Sequence, residues 1–133
     1  MGRARSRKER LLQIGRWLCA TFDTPYPVTL RIVKKIAADA DEPKRIKMTG
    51  YYGESWREGR RIYIRIAARP GIRIYDAIDT LLHEFAHAAS MRHEKIEDKR
   101  LDHGAHDDAW ALAWGKIYRK FYDDDGDVDS WDF

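Results

Sequence analysis

The sequence predicts an α+β domain in which a short, mostly antiparallel sheet packs on a central helix, with a further helix at each end of the chain. Apolar residues recur at helical spacing over residues 6–22, 73–91 and 106–122. Residues 28–33 and 61–67 instead alternate in side-chain character, as half-buried strands do. A chain of 133 residues is long enough for one such domain with a modest core.

The first predicted helix has a recognisable start and a recognisable end. Ser6 is a candidate N-cap, and prolines at positions 25 and 27 stop the helix before the first strand. The chain has one cysteine, Cys19, which excludes an intramolecular disulfide and a cysteine-based zinc site. Cys19 is expected to be a buried thiol of this helix; a nucleophilic Cys19 would need a histidine partner.

The pattern is weaker in the middle of the chain. Ile46 and Met48 suggest a short strand that is interrupted at Gly50, and residues 55–59 are expected to form a turn. The clearest strand follows at residues 61–67. Its isoleucines share one face: Ile62, Ile64 and Ile66.

The two ends of the chain carry opposite charges. Five basic side chains lie within residues 1–10, whereas residues 123–133 hold six aspartates and no Lys or Arg. We predict one domain over residues 1–122, which begins with the basic arm and is followed by an acidic, flexible tail. The charged residues 92–105 are expected to form a loop before the last helix.

Net charge and hydropathy indicate whether DNA or a membrane is an expected partner. The formal charge is +3, and a basic arm can neutralise DNA phosphates, so weak DNA contact is one expectation. A solvated helix start is the simpler interpretation. No stretch approaches the roughly 20 apolar residues of a membrane span, and the arm lacks the apolar run of a signal peptide. The sequence therefore predicts a cytoplasmic protein without a membrane partner, and it does not determine the oligomeric state.

All five histidines fall between positions 83 and 106, and two of them belong to the run His83-Glu84-Phe85-Ala86-His87. Residues four apart lie on one face of a helix, so both imidazoles can reach a single metal ion. Glu84 is rotated off that line and can activate a water without becoming a ligand. The motif predicts Zn²⁺ as cofactor, with His83 and His87 as ligands and Glu84 as the catalytic residue.

A catalytic zinc site needs a third protein ligand. His106 is favoured because it begins a helical segment and Trp110 follows one turn later, where it can pack beside the site. His103, followed by Gly104, is the alternative as a loop ligand or as a partner of a ligand, and His93 is expected to be solvated. Acidic ligands would define a different subtype of zinc site, with these candidates: Glu94, Glu97, Asp102 and Asp107.

A family resemblance accompanies the motif. The run Thr80-Leu-Leu-His-Glu-Phe-Ala-His-Ala, then a charged loop, then His106 with an aromatic residue four positions later, resembles the SprT-like zinc metallopeptidases. The segment beginning Gly59-Arg-Arg-Ile-Tyr looks like the strand before the motif helix in that family, and the similarity extends over residues 45–121. Small phage-encoded metallopeptidases look similar. One departure is that the family places a glycine directly after its third histidine, whereas here glycine follows His103.

The resemblance implies a zincin-like fold and a peptidase acting on proteins or peptides. It also implies an exposed edge strand for an extended substrate, and residues 61–67 are the candidate, with an internal strand as the alternative. Some members of the family cleave proteins attached to DNA. A non-catalytic zinc domain and a DNA-associated binding module remain as rival functions. Four residues are candidates to stabilise an oxyanion, without a choice among them: Tyr63, Tyr75, His103 and Tyr118.

Overall fold

The computed structural model describes residues 6–36, 52–91 and 108–125, and these form three helices and a three-stranded mixed sheet. The predicted α+β class is confirmed. The elements, in chain order, are α1 (Arg7–Thr21), β1 (Val28–Val33), β2 (Gly53–Glu58), β3 (Arg61–Ala67), α2 (Ile74–Ser90) and α3 (Asp108–Arg119), which continues as a π-helical turn, Lys120–Asp125. The predicted strand at Ile46 and Met48 and the predicted loop at 92–105 lie outside the described residues.

Helix α1 begins where the sequence indicates. The Ser6 hydroxyl accepts a hydrogen bond from the backbone N–H of Glu9 at 3.1 Å, which satisfies one of the free donors of the first turn. The Arg7 guanidinium donates to the backbone carbonyls of Arg69 and Ile72. One basic residue of the predicted arm therefore holds α1 against the segment that leads into α2.

The expectation of a buried thiol is wrong, because Cys19 is exposed. The buried stripe of α1 includes Leu11, Ile14 and Leu18. Cys19 follows Leu18 by one position, which turns it about 100° around the helix from that stripe. Helical periodicity placed Cys19 in an apolar segment, but its own side chain lies on the solvent side.

The sheet has the strand order β1-β3-β2, with β3 parallel to β1 and antiparallel to β2. The expectation of a mostly antiparallel sheet is therefore wrong for one of the two pairs. Strands β2 and β3 are joined by Gly59 and Arg60 alone, and such a short connection allows only an antiparallel pair. Gly59 has a φ of 58°, as tight hairpin turns require. Strands β1 and β3 are far apart in sequence, which permits the parallel crossover.

Two further expectations about the strands need correction. Residues 55–59 were expected to form a turn, but Ser55 lies inside β2 and pairs with Ile64. Strand β3 was the candidate for the exposed edge, yet it is the central strand and has both neighbours in place. Among the described residues, the edges of the sheet belong to β1 and β2.

The core lies between the sheet and the helices. The isoleucines of β3 are buried on the face that meets α2, as their alternation predicts. Helix α2 contributes an apolar face that includes Leu81, Leu82 and Phe85. On the other side of the core, Trp17 of α1 meets Phe121 edge-on, with ring centroids 5.6 Å apart. In the described part of the chain, no helix is long and apolar enough to cross a membrane.

Strand β2 approaches α2 closely at Gly53. A Cβ atom at this position would lie 2.5 Å from Cγ2 of Thr80 and 3.3 Å from Cγ of Glu84. A larger residue would fit there only if these side chains shifted. Gly53 therefore allows β2 to lie against the part of α2 that carries the motif.

Substitution of Gly53 by alanine is expected to destabilise the protein by about 1–3 kcal/mol, because the added methyl group overpacks a closed contact. Gly71→Ala is the matched control, since a Cβ at Gly71 meets nothing within 4 Å, and its effect should stay within about 0.5 kcal/mol. The free energy of unfolding of both variants can be measured by denaturant titration. Equal stability of the two variants would contradict the close approach of β2 to α2.

Candidate metal centre

The two histidines of the motif lie one turn apart on α2 and turn toward each other. The Nε2 atoms of His83 and His87 are 3.3 Å apart, and the ring centroids are 5.0 Å apart. His87 is buried, with 3 % of its surface exposed, whereas His83 is half-buried. The helical spacing thus brings two imidazole nitrogens to one point.

The separation of the two nitrogens fits a zinc ion. Zinc binds histidine nitrogen at about 2.0–2.1 Å in a tetrahedral arrangement, so two such ligands stand about 3.3–3.4 Å apart. The observed Nε2–Nε2 distance of 3.3 Å matches this requirement. Imidazole nitrogen is also a donor that zinc favours. This pair can therefore supply two of the ligands of a tetrahedral site.

Glu84 lies beside the histidine pair and turns toward the sheet. Its side chain is buried, with 3 % of its surface exposed, and Oε1 accepts a hydrogen bond of 2.6 Å from the Ser55 hydroxyl. Ser55 is itself fully buried in β2. A buried carboxylate is costly unless it is hydrogen-bonded, so Ser55 both stabilises Glu84 and restricts its rotation. The sequence carries no signal for this role of Ser55, which was assigned to a turn.

Two tryptophans of α3 cover the histidines. The Trp110 ring centroid lies 5.1 Å from that of His83 and 5.6 Å from that of His87, as expected for a residue packed beside the site. Trp114 lies 5.9 Å from His83 and stacks on Trp110 at 5.8 Å. These rings limit the rotation of both imidazoles and exclude water from one side of them. The part played by Trp114 was missed, although it stands one helical turn after Trp110.

The aromatic row continues along α3 away from the histidines. Tyr118 packs on Trp114 at 5.3 Å, and Tyr122 packs on Tyr118 at 4.5 Å. The Tyr122 hydroxyl donates to Oδ1 of Asp79 at 2.5 Å, one turn before His83 on α2. Burial and the hydrogen bond to Asp79 raise the pKa of Tyr122 above its usual range. The phenol therefore stays protonated and keeps α2 and α3 together.

The remaining proposed ligands lie outside the described residues. These are His106, the favoured third ligand, and the alternative His103. His93, which was expected to be solvated, also lies there, as do the acidic candidates Glu94, Glu97, Asp102 and Asp107. Within residues 6–36, 52–91 and 108–125, no group of three or more His, Cys, Asp or Glu side chains converges on one point. The choice of the third ligand stays a prediction.

The tyrosine candidates for stabilising an oxyanion differ in their distance from the centre. Tyr63 lies on the face of the sheet opposite the helices, where it stacks on Trp56 at 5.5 Å. Tyr75 stands at the start of α2 with 69 % of its surface exposed. Tyr118 contacts Trp114, which in turn contacts His83. Tyr118 is therefore linked to His83 through one intervening side chain, that of Trp114.

No protein-family model matches the sequence, and neither the curated proteins nor the solved structures yield a similar protein. The SprT-like resemblance rests on the motif residues themselves and stays a prediction. Function must be argued from the chemistry of His83, Glu84 and His87 and from their surroundings.

Proposed function

We propose that the protein is a zinc-dependent peptidase of the SprT-like, zincin-fold type. In this proposal His83, His87 and His106 hold the metal, and Glu84 is the general base. The observation that supports it most directly is the 3.3 Å separation of the two Nε2 atoms beside a buried, hydrogen-bonded carboxylate on the same helix. Two ligands and a base on one rigid helix are the arrangement that metal-assisted hydrolysis needs.

Each residue has a defined part in the proposed reaction. Zinc, when bound, supplies a Lewis acid that lowers the pKa of a coordinated water to about 7. The Glu84 carboxylate takes the proton of the attacking water and passes it to the leaving amine of the peptide. The Ser55 hydroxyl holds Oε1 of Glu84 in place during both transfers. The rings of Trp110 and Trp114 cover one side of the histidine pair.

Strand β2 is the proposed site for an extended substrate. Among the described strands it pairs with β3 alone, so its other edge can offer backbone N–H and C=O groups to a peptide. It also holds the residue closest to the general base, because Ser55 contacts Glu84 directly. Backbone pairing tolerates many side chains, which favours a protein or peptide substrate over a small molecule.

Two rival functions make different demands on Glu84. A non-catalytic zinc domain needs the histidines but needs no general base, so its only use for the buried carboxylate, which is costly to maintain, would be to orient a ligand. A DNA-associated module would depend on the basic arm, and Arg7 of that arm is engaged in holding the fold together. The peptidase accounts for more of the described site than either rival.

Metal analysis of the purified protein tests the zinc proposal directly. We expect about one zinc per chain, and we expect removal of the metal by a chelator to lower the melting temperature, since a ligand bound only by the folded state stabilises it. His87→Ala should abolish stoichiometric zinc. His93→Ala should leave it unchanged. Natively purified protein that is metal-free and unaffected by added zinc would refute the proposal.

A further inference from the structure

A groove runs along the side of α3 that faces away from the metal centre. It has a volume of about 710 Å³ and lies between the end of α1, including Phe22, and the α3 residues Leu112, Lys116 and Arg119. These three α3 residues follow one another at spacings of four and three, so they form one stripe of the helix. Trp110 and Trp114 belong to the other side, which packs on α2.

The groove combines an apolar end with a basic end. Leu112 has 67 % of its surface exposed, and Phe22 lies beside it in the groove. Lys116 and Arg119 are exposed, and neither forms an ion pair with another residue in the described ranges. The groove therefore suits a segment that carries acidic residues at one end and aromatic residues at the other.

Residues 126–133 of the same chain have this composition. Asp127 and Asp129 come first, and both rings, Trp131 and Phe133, follow, with a third acid, Asp132, between them. The segment starts directly after the π-helical turn that ends at Asp125, so it begins at the basic end of the groove. Its order of charges and rings thus matches the groove when it runs back along α3.

The distances agree with this arrangement. Leu112 and Asp125 are 13 positions apart, or about 20 Å along a helix. An extended chain covers about 3.3–3.6 Å per residue, so Trp131, six residues after Asp125, can reach about 20 Å back. Asp127 and Asp129 would then lie beside Arg119 and Lys116, and Trp131 beside Leu112. A tether this short also favours binding within one chain over binding between chains.

We propose that residues 126–133 dock in the groove of α3, with Asp127 and Asp129 on the Arg119 and Lys116 side chains and Trp131 on Leu112 and Phe22. The docked segment covers Leu112 and Phe22. From composition alone, the same residues were expected to form a flexible acidic tail. The proposal uses no residue of the metal centre, so its outcome is independent of the peptidase assignment.

Nuclear magnetic resonance of the full chain tests the docking. The indole N–H signal of Trp131, assigned with Trp131→Phe, is expected to differ in shift from that of a synthetic peptide of residues 126–133. Lys116→Glu combined with Arg119→Glu should move it toward the peptide value, as should Asp127→Lys combined with Asp129→Lys. Joining all four changes should restore the docked shift, because the charges are then exchanged but still complementary. Lys34→Glu with Lys35→Glu is the matched control, since both lysines are exposed outside the groove and the shift should stay unchanged.

Three results would overturn the proposal. A Trp131 signal that already equals the peptide value in the unaltered chain would show that the segment is not docked. Charge reversals that release Trp131 without rescue by the fourfold exchange would place the segment elsewhere. A shift that depends on protein concentration would show that the groove receives the segment of a second copy.

Discussion

Replacing Glu84 by glutamine is expected to lower peptide hydrolysis by at least the roughly 10²–10⁴-fold that is usual for the loss of a general base. Glutamine has nearly the shape of glutamate but cannot accept the proton of the attacking water. Zinc binding should be nearly unchanged, because Glu84 is not a proposed ligand. Thermal stability should be nearly unchanged as well.

The surroundings of Glu84 explain why the fold should tolerate this change. The Ser55 hydroxyl donates to Oε1 at 2.6 Å, and the amide oxygen of glutamine can accept the same hydrogen bond. The substitution adds no volume, so the close approach of Gly53 to the helix is preserved. Loss of a buried negative charge removes a desolvation cost and offsets a weaker hydrogen bond.

The assay needs a broad set of substrates, because the sequence does not define the cleavage preference. Casein, basic proteins bound to DNA and the protein itself are suitable. Glu9→Gln is the matched control, since Glu9 is an exposed carboxylate in the first turn of α1, outside the proposed site, and should leave hydrolysis unchanged. Hydrolysis that survives Glu84→Gln intact would refute the proposed mechanism. Reduced zinc affinity of that variant would instead assign Glu84 to orienting a ligand, as in a structural zinc domain.

His106→Ala is expected to weaken zinc binding far more than His103→Ala, to an extent comparable with His87→Ala. The removal of one of three protein ligands cripples a catalytic zinc site, whereas loss of a residue that only orients a ligand typically costs 10–100-fold in metal affinity. His87 is the reference, because its Nε2 atom lies 3.3 Å from that of His83 in the described centre.

Competition with a chromogenic chelator measures the zinc affinity of the three variants on one scale. Circular dichroism of each metal-free variant separates loss of metal from loss of fold. The reverse ranking would make His103, and not His106, the third ligand. Full affinity in both variants would direct the search to the acidic candidates Glu94, Glu97, Asp102 and Asp107.

Patterns of residues close in sequence were sufficient to predict the motif helix α2, the start of α1 and the strand β3. The 3.6-residue repeat of α2 places His83 and His87 on one face, and this follows from helix geometry whatever the helix packs against. The Ser6 cap and the alternation of β3 were likewise read correctly, because capping and strand alternation depend on residues close in sequence. The contact of Trp110 with the histidines followed from the helical segment that was expected to stand beside the site.

Tertiary structure alone decided which strand meets Glu84. Strand order and direction depend on contacts between distant residues, so alternation in 61–67 revealed a strand but not that β3 is central. The sequence of β2 is polar and therefore resembled a turn. Its Ser55 can be buried in a strand because it donates a hydrogen bond to Glu84, 29 positions later in the sequence. Burial of Cys19 was misjudged for a related reason, since periodicity shows which residues share a face but not how wide the covered face is. The sequence by itself thus determined the helix that carries the motif, and packing of the sheet against this helix determined how the Glu84 carboxylate is held.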